Sequence, residues 1–347
     1  MTARREHLRW PDMAKGLGII LVVFGHSWRG LEMAGLLPDG VLFRAVDDAI
    51  YAFHMPLFFF LSGWFFPGSL ARLGPGEHAR RIFWRLFYPM CVWTYVFLAM
   101  KLLAGDGANN AVGPAALLTW PVPGQLHLWF LWALILIQGV AVLLRPMALR
   151  GIMPFFAIMT GLSAALWLSA LVPPGSAWTA GAIRSAPFFF LGGLWHLLGD
   201  LPASRRAGAL AVVAFVAVEV LAIRLEGGVA EHLLIATVAV VAVLVMVRVC
   251  EPHAGAAGRL LVLLGQCSMT IYLMHTIFAA AIRILLAREL GIEALLPNLL
   301  LTVAGGLFLP LMIHLAPVPP VLRRVLGLPE QPVLRLFRPA APGAIAH

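Results

Sequence analysis

The chain has 347 residues, 61% hydrophobic and 12% charged, and its 25 Lys+Arg against 16 Asp+Glu give a formal net charge of +9. Soluble domains average about 25% charged residues and about 45–50% apolar ones, so a soluble enzyme, a disordered regulator and a secreted disulfide scaffold are excluded. The basic excess does not point to nucleic acid, because in so apolar a chain it reads as the positive charge that holds loops on the cytoplasmic side of a bilayer.

In chain order, a short basic tail (1–10) precedes an apolar run that Asp12 and Lys15 interrupt. That run reads as an uncleaved first helix rather than a signal peptide. Ten spans are predicted, at 11–30, 48–66, 86–104, 127–145, 152–171, 182–199, 207–224, 229–249, 260–286 and 297–317. Each is close to the ~20 residues that cross a hydrocarbon core. The expected fold is all-α, a polytopic bundle of about ten helices whose membrane domain occupies 11–317, followed by a tail at 318–347. The Pro/Ala-rich end of that tail, 339–347, reads as disordered. With the N-terminus inside, 17 of the 25 Lys and Arg fall on inner segments and seven on outer ones, with Lys15 inside the first span. Both termini are therefore expected in the cytoplasm. Trp10, Trp28, Trp64 and Trp120 fall near the expected interfaces. Cys91, Cys250 and Cys267 lie in or beside apolar runs without C-x-x-C spacing, which implies neither a disulfide framework nor a metal site.

A charge at the centre of a membrane helix costs roughly 2.5–3.5 kcal/mol, so polar residues in the spans are candidates for function. Lys15 and His26 are eleven residues apart. At 100° per residue that is about 20° past three full turns, so the two share a face about 16 Å apart along the axis. Asp12 lies one turn before Lys15 on nearly the same face. Gly18 and Gly25 flatten the helix nearby. The plainer alternative is an interfacial Asp12–Lys15 ion pair, with His26 bonding a neighbouring helix. In the second span His54 precedes Pro56, which frees a backbone carbonyl. In HARRIFWR, Arg81 and Arg85 share one face, with Arg80 beside them, as a topology anchor or as a phosphate clamp. His127 and Trp129 read as outer-interface residues. Ser268, Tyr272 and His275, spaced i, i+4, i+7, form a polar stripe that must face protein or a wet cavity.

Four segments in this order resemble the acyltransferase-3 family of integral membrane O-acyltransferases, and within it the fucose 4-O-acetylase-like branch. They are DMAKGLGIILVVFGHS at 12–27, FHMPLFFFLSG at 53–63, HLWFL at 127–131 and SMTIYLMH at 268–275. Much of the family carries Arg eleven residues before the intramembrane His. Here that residue is Lys15, a point charge without the guanidinium fork. The resemblance implies a cytoplasmic acyl-CoA donor, acetyl-CoA as a cosubstrate with no permanently bound cofactor, and a hydroxyl acceptor on a cell-surface sugar, polysaccharide or lipid-linked glycan. It implies a multi-pass enzyme of the plasma membrane.

Acetyl transfer from a thioester to a hydroxyl needs a base for that hydroxyl or a nucleophile that relays the acyl group, and neutral imidazole can do either. His26 is the first choice for that role. Asp12 and Lys15 fix the inner end of the helix, Arg81 and Arg85 hold the CoA phosphates, and His54, Ser268, Tyr272 and His275 orient the acceptor or stabilise the oxyanion. The competing reading is a proton-coupled secondary transporter, which would carry interrupted helices in corresponding positions of two halves. A non-catalytic assembly protein would not need imidazoles in three helices.

Overall fold

A computed structural model of the chain describes residues 9–37, 40–124, 126–169, 176, 178–224 and 228–329. The first eight residues, the end of the fifth predicted span and the tail beyond 329 lie outside them, and with them the disorder expected at 339–347. The described residues contain helices and turns and no strand. In order they form α1 (Trp10–Met33), α2 (Gly40–Tyr51), α3 (His54–Trp64), α4 (Phe66–Arg72), α5 (Pro75–Ile82), a π-helical turn (Phe83–Phe87) and α6 (Tyr88–Ala104). There follow α7 (Trp129–Leu143), α8 (Arg145–Ala148), α9 (Ile152–Leu168), α10 (Ala180–Leu198), α11 (Arg205–Arg224) and α12 (Val229–Cys250). The last four are α13 (Gly255–Gln266), α14 (Ser268–Ile284), α15 (Leu295–Leu315) and α16 (Pro320–Val325).

Seven helical stretches are long and apolar enough to cross a membrane: Gly40–Arg72, Pro75–Gly107, Leu126–Leu143, Arg205–Arg224, Val229–His253, Ser268–Glu289 and Leu295–Leu315. Ile152–Leu168 is apolar but shorter. Two further predicted spans, α1 and α10, are outside the seven. α1 carries Asp12, Lys15, His26 and Arg29, and α10 carries Arg184 and an internal Pro187. Both are enclosed by other helices, α1 by α13, α14, α15 and α3, and α10 by α3, α9 and α7. A helix shielded by protein can keep polar groups that lipid would exclude. α11 is the opposite case, with Leu210 and Val213 71% and 67% exposed on an apolar outer face.

Two predicted spans are broken. The segment 48–66 is expected as one helix, but α2 ends at Tyr51 and α3 begins at His54. Pro56 cannot donate to the carbonyl four residues back and is tolerated only in a helix's first turn. His54 repairs part of the break by donating from Nδ1 to the carbonyl of Ile50 at 2.7 Å. The segment 260–286 is likewise two helices, turning at Cys267 between α13 and α14. Three of the four tryptophans expected near interfaces are buried among other side chains. Trp10 meets Trp64 edge-on at 5.0 Å, and Trp28 donates to the carbonyl of Phe43 at 3.2 Å. Trp120 is exposed.

Close backbone approach sets two of the helix pairs. A Cβ at Gly16 would lie 2.0 Å from the Leu261 carbonyl oxygen, and one at Gly265 would lie 1.9 Å from that of Asp12, so α1 and α13 interlock. Gly63 and Gly192 do the same for α3 and α10, against the carbonyls of Phe189 and Phe60. Gly18 and Gly25, the glycines expected to flatten α1, lie against the side chains of Phe58 and Tyr51. Without a hydrophobic drive between helices in lipid, such contacts are what hold them.

Gly16→Ala is therefore expected to destabilise the protein by at least the ~1–3 kcal/mol of ordinary overpacking, since backbone cannot swing aside as a side chain does. A Cβ at Gly30 would meet nothing within 4 Å, and Gly30→Ala should be neutral or stabilising. Thermal unfolding in detergent separates the two, and equal melting temperatures would remove the interlock as a determinant of stability.

Candidate active site

The shared face of α1 lines a cavity of about 1240 Å³. Lys15, Ile19 and Val22 supply its floor along α1, and Met55, Phe58 and Ser62 of α3 face them. Phe130, Leu131 and Leu134 of α7 and Ser268, Met269 and Tyr272 of α14 close the other sides. One end is cationic: Arg80, Arg81, Arg85 and Arg324 line it, and among the described residues no acidic one does. Lys15 is held by Asp12 at 3.3 Å and lies over the Phe65 ring at 4.9 Å, while Gln266 donates to the other Asp12 oxygen at 3.3 Å. Arg81 pairs with Glu77 at 2.9 Å. Arg80, Arg85 and Arg324 have no acidic partner among the described residues. The π-helical turn between α5 and α6 keeps Arg85 on the cavity wall with Arg81.

One turn beyond Val22 the stripe reaches His26, which meets two other imidazoles. Ring centroids are 5.1 Å apart for His26 and His275, 6.0 Å for His26 and His127, and 5.3 Å for His127 and His275. His275 and His127 are buried, and His26 is half-buried. Nδ1 of His275 lies 3.1 and 2.8 Å from the carbonyls of Ile271 and Tyr272. A carbonyl only accepts, so Nδ1 carries the proton and Nε2 carries the lone pair. That Nε2, and Nε2 of His127, are buried without a hydrogen-bond partner. Tyr272 spans the cavity and the cluster, its hydroxyl donating to the carbonyl of His127.

On the side of His26 away from the cavity stands a second charged group. Arg29 makes a two-pronged pair with Asp47 at 2.6 and 2.7 Å and stacks 3.3 Å over the Tyr51 ring. Tyr51 in turn lies 6.5 Å from His26 and 4.6 Å from His54, edge to face.

The residues singled out in the sequence thus divide into three places. Lys15, Arg81, Arg85, Ser268 and Tyr272 line the cavity, with Asp12 behind Lys15. His26 and His275 meet in the imidazole cluster. His54 is set back, beside Tyr51 and tied to Ile50. Ser268 and Tyr272 line the arginine-lined cavity, and Tyr272 also reaches His275 of the cluster, 6.2 Å between rings. His127, read from sequence as an interface residue, is buried in the cluster. Its signal is the HLWFL segment itself, whose histidine is placed by the turn that begins at Leu126. Arg29, Asp47 and Tyr51 carry no spacing that marks them, because they come from two helices joined by a loop.

The family described as acyltransferase domain matches residues 8–316, which contain all of these groups except Arg324. The chain belongs to this acyltransferase family. It is also similar to the nodulation protein NolL of Mesorhizobium japonicum, 32% identical over 126 residues, which cover 35% of this chain and 32% of that protein. The same-named protein of Sinorhizobium fredii is 32% identical over 136 residues, 36% of this chain and 33% of its own length. The matched region is thus about a third of either relative. No solved structure matches the chain.

In this acyltransferase chain, Tyr272→Phe tests the link between cavity and cluster. Loss of one hydrogen bond costs about 0.5–1.5 kcal/mol, so the melting temperature should fall by only a few degrees while turnover falls more steeply as His127 loses its anchor. A proportionate loss of both would make Tyr272 purely structural.

Proposed function

We propose that the protein is a multi-pass plasma-membrane O-acyltransferase that moves an acetyl group from cytoplasmic acetyl-CoA to a hydroxyl of a cell-surface sugar, polysaccharide or lipid-linked glycan. The observation that carries this reading is the cavity. It is lined by Lys15, Arg80, Arg81, Arg85 and Arg324 and, among the described residues, by no acid, and Tyr272 on its wall lies beside the imidazole cluster, 5.4 Å from His127 and 6.2 Å from His275. Pockets for small ligands usually run to about 300–1,000 Å³, so its volume suits a long ligand. Arg80, Arg85 and Arg324 are free to meet phosphates, and guanidinium forks match phosphate oxygens. The apolar walls of α3 and α7 suit the neutral arm that would carry the thioester toward His26. The positive-inside bias puts the arginine end at the cytoplasm, where CoA is found. The glycan acceptor rests on the family resemblance.

In this reading His26 is the general base. Its imidazole takes the proton of the acceptor hydroxyl as the oxygen attacks the thioester carbonyl. The carbon–sulfur bond breaks, and the thiolate that leaves takes the proton from the imidazolium. His26 suits the part because it alone of the three clustered imidazoles is not fully buried. The unpartnered Nε2 of His275, whose ring lies 5.1 Å from that of His26, carries a lone pair that favours a protonated His26 once it forms. Lys15, locked to Asp12, contributes fixed positive charge to the cavity.

His26→Ala should lower kcat by about 10²–10⁴-fold, the usual contribution of a positioned base, with the melting temperature preserved. Rates within a few-fold of wild type in a purified assay would remove His26 as base, and radiolabel trapped on His26 would make it an acyl relay instead. Arg85→Ala should raise the KM for acetyl-CoA by roughly ten- to a hundredfold, the loss of a charge-assisted contact. Arg81→Ala should cost less, because Glu77 already neutralises part of that charge. Steady-state kinetics with acetyl-CoA varied at saturating acceptor measures both, and unchanged KM values would leave these arginines as topology anchors.

A further inference from the structure

The family match ends at residue 316, but the cavity wall does not. Val325, Gly327, Leu328 and Pro329 line it, beyond the acyltransferase domain and within the segment expected from sequence to be a tail. Several bonds seat this segment. Tyr88 donates to the carbonyl of Val325 at 2.9 Å, and the Trp93 indole donates to that of Leu326 at 2.8 Å. Arg323 is buried and donates to the carbonyls of Pro329 at 3.2 Å, Ala316 at 3.4 Å and His314. Gly327 turns the chain at φ +60°, where a Cβ would lie 3.0 Å from Cα of Pro89. Adjacent arginines on a helix point about 100° apart, and these two have divided roles. Arg323 ties the segment down, whereas Arg324 is exposed on the cavity lining with no acidic partner among the described residues.

We propose that residues 320–329 complete the donor site, and that Arg324 is a specificity-determining residue that selects donors bearing a phosphorylated nucleotide end. The inference rests on the acyl-CoA reading above. Arg80, Arg81 and Arg85 approach the cavity from α5 and the π-helical turn, on one stretch of chain. Arg324 comes from α16, a separate element, so a ligand with several phosphates is met by cations from two elements. A short thioester without phosphates gains nothing from it. Segment 320–329 thus makes donor selection depend on residues that the matched domain does not contain.

The test uses the full chain in lipid nanodiscs, with acetyl-CoA and S-acetylpantetheine as alternative donors. Arg324→Ala should raise the KM for acetyl-CoA by roughly ten- to a hundredfold, leave kcat and the KM for S-acetylpantetheine within twofold, and preserve the melting temperature. Arg324→Lys should recover part of the loss, because it keeps the charge without the fork. An equal rise for both donors, or no rise for either, overturns the proposal. Direct binding of tritiated CoA to the wild-type protein separates this failure from that of the parent reading. Wild type that binds CoA alongside an indifferent Arg324→Ala variant sinks only the role of Arg324. Wild type that does not bind CoA sinks the acyl-CoA reading, and this inference with it.

Discussion

The stripe formed by Lys15, His26 and Arg29 on α1 cannot face hydrocarbon, and the rest of the bundle is arranged around that constraint. A charged side chain in lipid must find protein or water. Each member of the stripe has found a different answer. Lys15 is paired with Asp12 and covered by Phe65, Arg29 is forked to Asp47 and stacked on Tyr51, and His26 meets two other imidazoles. To supply these partners α1 must sit among α2, α3, α14 and the turn Leu126–Leu128 rather than at the rim. The Gly16–Gly265 interlock with α13 closes its back, leaving Lys15 of the stripe on the cavity wall.

Polar satisfaction is nearly complete along α1 and fails where the stripe reaches the imidazoles. Ser27, Tyr51, His127, His275 and Thr276 each hold a buried polar atom without a hydrogen-bond partner, and all are in the imidazole cluster or next to one of its members. An unsatisfied buried donor or acceptor costs about 1–3 kcal/mol, and native structures concentrate such groups where a ligand or water completes them. The cluster is therefore poised to gain free energy when a polar molecule enters. The cavity beside it, which Tyr272 shares, is lined by Arg80, Arg85 and Arg324, which have no acidic partner among the described residues. This pairing of an unsatisfied polar site with a charged entrance is what makes the bundle suited to group transfer rather than to scaffolding.

Much of this was legible in the sequence because helix geometry is local. The 100° step puts Lys15 and His26 on one face, and Ser268, Tyr272 and His275 on another, before any contact is known. The same reasoning fails where the outcome depends on a neighbour. Trp10, Trp28 and Trp64 suit an interface by amphipathicity, yet packing partners bury them. His127 stands alone in its segment, and only α14 crossing beside it makes it part of a cluster. The break before His54 is signalled by Pro56, but its capping by the His54 ring is not.

Composition and periodicity by themselves determined an all-helical membrane protein, the apolar segments and the polar stripe of α1. These follow from hydropathy and from the fixed pitch of a helix, which depend on nothing outside each segment. Only the tertiary structure decided which stripes face one another: that three imidazoles converge, that Ser268 and Tyr272 share a wall with the arginines, and that Arg324 joins them from beyond the family match. Helix packing in lipid is set by small-residue approaches such as Gly16 to Leu261 and Gly63 to Phe189. Those are pairings between distant parts of the chain, and no local period encodes them.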